Sequence, residues 1–303
     1  MSFSTRIVSE ILSVLRRSAG PIFLKLMSSN NTGWRDQGVF RAAWFIITIL
    51  ILVNPARGIA GALEAENAYD SGHYAKAREL WLPMAEQGDP TAQYNIATLY
   101  RLGRGVRADP VVATEWYQRA ALLGHARSQV NLGRLYLSGT GVQRNILTAI
   151  SWFQRAADSG DSFGQYYLGL QYLTGKGVSQ NYKQAASFFL VSAEQGLRDS
   201  AYQLAVLYKR GEGLPQDHAE AIKWFSSAAY AGHIDAQFSM GVIYEEGQGT
   251  PINLERAYFW YSVSASNRHP VGMDNRDRVA HDLTSDQLNS VHSNLKHWDY
   301  LLK

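Results

Sequence analysis

The sequence predicts an all-α chain built as an α/α solenoid of 36-residue two-helix repeats with a C-terminal capping helix, and three observations predict it. Glycine pairs recur every 36 residues at Gly103/Gly105, Gly139/Gly141, Gly175/Gly177, Gly211/Gly213 and Gly247/Gly249. Aromatic and alanine columns keep the same period: Tyr100, Tyr136, Tyr172, Tyr208 and Tyr244; Ala113, Ala149, Ala185, Ala221 and Ala257; Trp116, Trp152, Phe188, Trp224 and Trp260. A last column, Asp109, Asn145, Asn181, Asp217 and Asn253, holds only residues whose side-chain oxygen can accept from the free amides at a helix start.

Each unit then reads as helix A (90–102 in the first full unit), a glycine-hinged loop, and helix B opening after the Asp/Asn cap (110–123), with Pro110 suited to the first helical position. Ile96, Leu99 and Tyr100 form one stripe of helix A, matched by Leu132, Leu135 and Tyr136, at the three-four spacing of a packed amphipathic helix. Ala97, Gly133, Gly169, Ala205 and Gly241 on helix A, with Ala121, Ala157, Ala193, Ala229 and Ala265 on helix B, let neighbouring helices approach closely. The aromatic positions are expected to fill the wider gaps. The first glycine of each pair follows the last helical turn, where a left-handed conformation ends the helix. The pairs do not read as phosphate cradles, because they follow a helix where a dinucleotide fingerprint follows a strand.

Beyond the repeats, residues 270–303 are expected to hide the last apolar face. Thr284-x-x-Gln287 is a capping-box pattern, followed by Leu288, Val291, Leu295, Trp298 and Leu302 on one helical face.

The motif Leu132-Gly133-x-x-Tyr136-x-x-Gly139-x-Gly141-Val142, followed by Ala149-x-x-Trp152-Phe153-x-x-Ala156-Ala157-x-x-Gly160, resembles a Sel-one-like repeat. That family is a tetratricopeptide-like α/α class, so the resemblance implies a superhelix that binds proteins. It covers five full units over 89–269, after an incomplete first unit at 63–88 with a shortened loop. The last unit departs from the pattern at Thr250, Ser264 and Arg268. By analogy with tetratricopeptide geometry, two rows face the concave groove: Tyr94, Val130, Tyr166, Tyr202 and Phe238, then Thr98, Arg134, Leu170, Val206 and Val242. Asn95 and Asn131 could add amide contacts. Burial between units is the competing explanation of the first row.

The N-terminal segment has a different character. Residues 42–53 are a twelve-residue apolar run preceded by Arg35 and Arg41, the length of a signal peptide and short of a bilayer span. Pro55 ends that run, and Ala60-Gly61-Ala62 offers small residues for signal-peptidase cleavage between Ala62 and Leu63, predicting a periplasmic or secreted protein; without cleavage the run is an inner-membrane anchor. Starting at Met27 would give a leader of ordinary layout, so residues 1–26 are either a start-site artefact or an amphipathic extension built from Ile7, Ile11, Leu15 and Arg16. Seven of the 29 Lys/Arg and two of the 26 Asp/Glu lie in residues 1–62, leaving 22 basic and 24 acidic residues beyond. No basic stripe remains to neutralise phosphates, which argues against nucleic acid as a partner. Cysteine is absent, which excludes disulfides, thiolate catalysis and Cys-ligated metals.

Nothing in the sequence reads as a catalytic centre, a metal site or a cofactor site. His73, His125, His233 and His269 fall at inter-helix turns as polar surface residues, and His281, His292 and His297 lack the Glu-paired spacing of a zinc protease. Ser293-x-x-Lys296 matches the nucleophile tetrad of penicillin-recognising enzymes but has no Lys-Thr-Gly partner. Glu245 and Glu246 adjoin a helix end and are expected to be solvated. The expectation is therefore an exported, non-enzymatic scaffold, adaptor or regulator holding a protein or peptide, such as a membrane sensor or an envelope complex. The alternatives are a cell-wall-directed hydrolase or β-lactam-interacting protein, and a secreted host-interaction factor.

Overall fold

A computed structural model of the protein describes residues 55–301, and among them fourteen helices form and no strand. Helices α1 (Pro55–Asp70) and α2 (Tyr74–Glu86) precede five antiparallel A/B pairs. These are α3 (Pro90–Leu102) with α4 (Pro110–Leu122), α5 (Ala126–Ser138) with α6 (Ile146–Asp158), and α7 (Ser162–Thr174) with α8 (Tyr182–Glu194). The last two are α9 (Arg198–Arg210) with α10 (His218–Tyr230), and α11 (Ile234–Glu246) with α12 (Leu254–Ser266). Two further helices, α13 (Gly272–Ala280) and α14 (Ser285–Leu301), follow. Through the repeats each helix packs chiefly on the ones next to it in the chain, which makes the structure a solenoid.

The apolar run 42–53, Arg35, Arg41, Met27 and the 7–16 stripe lie outside the described residues. Pro55 is the first residue of α1, a position where its missing N–H costs nothing. The Ala62–Leu63 bond lies inside that helix. No helix among the described residues is long and apolar enough to cross a membrane.

The repeat closes the same way five times. The A helices end on Gly103, Gly139, Gly175, Gly211 and Gly247, all in the left-handed region, with φ +67° at Gly103 and +75° at Gly139. The loop then returns so that the cap residue's N–H donates to the carbonyl of the Tyr column: Asp109 to Tyr100 at 3.0 Å, Asn145 to Tyr136 at 2.9 Å and Asn253 to Tyr244 at 2.7 Å. All five Asp/Asn side chains accept from first-turn amides of the B helix, as Asn181 does from Gln184 N at 3.0 Å.

The second glycine of each pair corrects the expectation of a simple loop hinge. Gly105, Gly177, Gly213 and Gly249 are exposed to solvent on one side, and Gly141 is half-buried. On the other side each lies against the first turn of the preceding unit's B helix. A Cβ on Gly177 would stand 2.5 Å from Ile146 Cγ2, one on Gly249 2.5 Å from His218 Cβ, and one on Gly213 would overlap the backbone of Tyr182 and Lys183. Gly105 meets Tyr74 and Ala75 in the same way, and Gly141 meets Pro110. These five glycines are points of contact between units.

Where a helix-A residue must be small, the reason is an aromatic ring on helix B. A Cβ on Gly133, Gly169 or Gly241 would stand 2.5 Å from the rings of Phe153, Phe189 and Tyr261. These rings belong to the column Tyr117, Phe153, Phe189, Phe225 and Tyr261, whose exposure is 2% or less throughout. They, and not the preceding Trp/Phe column, fill the centre of each unit. Trp116 and Trp152 are half-buried, with Arg119 and Arg155 lying 4.4 and 4.6 Å from their ring centres. Of that column only Trp260 is buried.

At the C-terminal end, α13 and α14 pack on α12 and cover Tyr258 and Tyr261 with Val279 and Val291. The segment expected to supply a single helix thus supplies two. Thr284 and Gln287 cap α14 reciprocally, Thr284 N–H donating to Gln287 Oε1 at 2.9 Å and Gln287 N–H to Thr284 Oγ1 at 3.3 Å. Arg268, where earlier units carry Gly124, Gly160, Gly196 and Gly232, still adopts φ +64° and is the single non-glycine with positive φ among the described residues.

Candidate binding face of the A helices

Three members of the first predicted row are held between two layers of rings. Tyr94, Tyr166, Tyr202 and Phe238 are half-buried, and each meets the buried aromatic of its own unit: Tyr94 with Tyr117 at 5.8 Å, Tyr166 with Phe189 at 6.0 Å, Tyr202 with Phe225 at 5.8 Å and Phe238 with Tyr261 at 5.3 Å. For three of them, the histidine at the turn after the B helix adds a ring from the other side. His233 stacks on Tyr202 at 4.3 Å, His269 on Phe238 at 4.2 Å, and His125 leans on Tyr94 at 4.9 Å. Such offset contacts fix ring orientation and leave an edge in solvent. Val130 does not share this arrangement; at 6% exposure it belongs to the core around Phe153 and offers a partner almost no surface.

The second row is mixed. Thr98 Oγ1 donates to Tyr94 O at 2.9 Å and shares a 2.9 Å hydrogen bond with Tyr117 Oη, to which Arg101 Nε also donates at 3.2 Å. Arg134 is exposed with its guanidinium 5.7 Å from the Tyr167 ring. Leu170, Val206 and Val242 are half-buried against the repeat cores. Asn95 and Asn131 are half-buried beside the first row.

Several residues at this face were not singled out in the sequence. His125 and His233 are not surface ornaments of a turn. They are the N-caps of α5 and α11, accepting at Nδ1 from Ser128 N and Ala236 N, both at 3.2 Å. Burial lowers the pKa of His125, His233 and His269, so these rings are neutral near pH 7, the form whose Nδ1 can accept. Asp199 and Asp235 stand 3.8 and 3.7 Å from Nε2 of His233 and His269. Burial, aided by Asp199, pushes the Tyr166 phenol up to about 12. A signal existed: the turn column Asp89, His125, Asp161, Leu197, His233 and His269 keeps the 36-residue period.

The expectation of two solvated glutamates needs correcting at Glu245. Tyr261 Oη donates to its Oε2 at 2.7 Å, Arg278 pairs with both of its oxygens, and the Arg278 guanidinium holds its carboxyl below the usual range. Glu246 is exposed. Ser293 and Lys296 are both exposed on α14, and the His292 ring is tied to Tyr258 Oη by a 2.9 Å hydrogen bond. Among the described residues no three His, Asp or Glu side chains come together as a metal site would require.

Paired helices stacked in register, with ordered aromatic edges along one face, define an α/α repeat solenoid of the tetratricopeptide-like class. The Sel1 repeat matches six consecutive segments, 74–89, 90–125, 126–161, 162–197, 198–233 and 234–269. The chain belongs to the Sel1 repeat family, a non-enzymatic type of fold whose members are protein–protein interaction scaffolds. It is similar to a solved Sel1 repeat protein from Oxalobacter formigenes, at 30% identity over 71% of this chain and 86% of that one, with a TM-score of 0.66. It is also similar to c5321, a protective antigen of uropathogenic Escherichia coli strains displaying an SLR fold, at 24% identity over 74% of this chain and 64% of that one, with a TM-score of 0.35. A third similar structure is the immunity protein Pa5087 from Pseudomonas aeruginosa, at 19% identity over 70% and 84%, with a TM-score of 0.47. No curated protein matches the chain.

Proposed function

We propose that this chain is an exported scaffold or regulator that holds a protein or peptide along the A-helix face, in envelope signalling or assembly. The observation that carries this reading is the row Tyr94, Tyr166, Tyr202 and Phe238, whose rings are held by aromatic neighbours yet keep an exposed edge. A clamped aromatic gains contact area on binding while losing little rotamer freedom, which is how the strongest interface residues act. The same row would be wasted on inter-unit packing alone, because Val130 packs that position with almost no exposure. Export rests on the apolar run at 42–53 and the small residues before Leu63.

The test is proximity labelling by the full chain in its native cell, compared with Tyr166→Asp and Tyr202→Asp variants and with Leu147→Asp as a control at a 68% exposed site on a B helix. The groove reading expects the first two to lose labelled proteins that the control retains. Equal labelling by all four proteins overturns it. Fractionation and N-terminal sequencing of the same cells test export, which fails if the protein stays in the cytoplasm.

A further inference from the structure

A second site lies away from the A-helix face, where the last repeat meets the terminal helix. A cleft of about 470 Å³ is walled by Tyr230, Asn253, Glu255, Arg256, Trp260 and Asn294, with Phe259 beside them. This volume lies inside the range of about 300–1,000 Å³ usual for small-molecule sites. It is particular to this repeat. Phe259 stands where the other units have Glu115, Ser151, Ser187 and Lys223, and Tyr230 where they have Leu122, Asp158 and Glu194.

The rings make a box. Trp260 meets Tyr230 at 5.3 Å, Phe259 at 5.4 Å and Trp298 at 5.6 Å, all edge to face. The terminal helix covers much of Phe259 and places Trp298 5.3 Å from Tyr230, yet Tyr230 remains 61% exposed. Within the box the Trp260 indole lacks the acceptor that its counterpart in the preceding unit has. In the preceding unit Glu220 Oε2 accepts from the Trp224 indole N–H at 3.1 Å. The residue equivalent to Glu220 is Arg256, and a guanidinium cannot accept. Trp260 is 4% exposed, and among the residues whose side chains are described none accepts from its indole N–H.

The polar groups decide the chemistry of the occupant. Arg256 already lies 5.2 Å from the Tyr244 ring centre and donates to Tyr244 Oη at 3.2 Å, so the aromatic wall holds its own cation and does not need another. Glu255, with Oε1 taken by Gln287 at 3.1 Å, disfavours an anion. One carboxylate and one guanidinium balance, and around them stand two amides that both donate and accept: Asn253, whose Oδ1 is used in the cap and whose Nδ2 can still donate, and Asn294. We propose that the cleft binds a neutral saccharide, its apolar ring face on Tyr230 and its hydroxyls shared among the Trp260 indole, the two amides, Glu255 and Arg256.

The experiment titrates the full-length protein with cellobiose and N,N′-diacetylchitobiose, using saturation-transfer NMR for contact and calorimetry for affinity. At least one disaccharide is expected to bind, with saturation strongest at ring C–H protons. Tyr230→Ala and Asn294→Ala are each expected to weaken it about tenfold, the effect of losing one central contact. Both side chains are exposed, so the variants keep the fold, and an unchanged melting curve verifies it. Tyr166→Asp, on the other face, leaves saccharide binding unchanged. The proposal is overturned if neither disaccharide binds, if both variants bind as the parent does, or if tetramethylammonium or glucose 6-phosphate binds more tightly than the neutral sugars.

Discussion

Gly141 and Gly160 both adopt left-handed backbone, with φ +71° and +86°, yet alanine at the two sites should have unequal consequences. At Gly160 an added Cβ meets nothing within 4 Å, so the cost is backbone strain alone. That strain is about 1–2 kcal/mol, offset by about 0.4–1 kcal/mol from restricting the unfolded chain, for a net loss of about 1 kcal/mol. At Gly141 the same Cβ would overlap the carbonyl of Pro110, at the start of the preceding B helix, and approach Thr114 Oγ1 to 2.9 Å. Backbone cannot rotate aside as a side chain does, so overpacking adds about 1–3 kcal/mol and the total is about 2–4 kcal/mol. Urea titration followed by far-ultraviolet circular dichroism separates the two through their midpoints, provided the slopes agree. The reasoning is refuted if Gly141→Ala costs no more than Gly160→Ala, because the second glycine would then be only a turn residue and not the point where one unit touches the last.

Three further outcomes follow from the geometry. Arg268→Gly should stabilise the fold by about 0.5–1 kcal/mol by relieving strain at φ +64°, raising the melting temperature by a few degrees; a lower melting temperature would contradict it. Leu123→Gln should add about 1 kcal/mol, because Gln93 Oε1 is buried without a partner while the equivalent oxygens of Gln165 and Gln237 accept from Gln195 and Asn267, the residues thirty positions on, and an unchanged urea midpoint would sink the idea. Stability should fall as pH drops below 6.5, since the folded state holds the His233 pKa below that value and the unfolded chain takes up the proton first; His233→Asn, which keeps a capping acceptor, should flatten the dependence measured between neutral and mildly acidic pH, and an equal slope in the variant would refute it.

The fold was legible because every local rule is repeated at one spacing. The cap column, the helix-ending glycines and the Tyr column each specify a bond that the structure forms five times. Less legible were contacts between residues about thirty positions apart, which a column cannot announce. Gly105, Gly177, Gly213 and Gly249 look like second turn glycines, yet each faces the start of a helix in the preceding unit, where at Gly105 a Cβ would stand 2.5 Å from Ala75 N. Two adjacent aromatic columns share the period, and only the position of the helix-A glycine decides that Phe153, and not Trp152, enters the core. The pairing of Tyr261 with Glu245 escaped notice because each is ordinary alone: a tyrosine where three other units have phenylalanine, and a carboxylate where they have Leu137, Leu173 or Lys209. Their 2.7 Å bond explains both departures together.

The same logic orders the binding face. Apart from Val130 the row is aromatic, but what covers it is set by the residue at the turn after each B helix. Where that residue is His233 or His269 the ring beneath is stacked face to face within 4.3 Å. Leu197 starts the helix after Tyr166, makes no capping bond and brings no ring. Tyr166 is steadied instead by Tyr167, edge-on at 5.3 Å, and by Phe189 below it. A solenoid whose cores are built from regular columns can therefore vary its surface one unit at a time. Exchange at that turn position alters the stiffness and charge of one aromatic site while the helix-A glycines and helix-B rings go on fixing the frame.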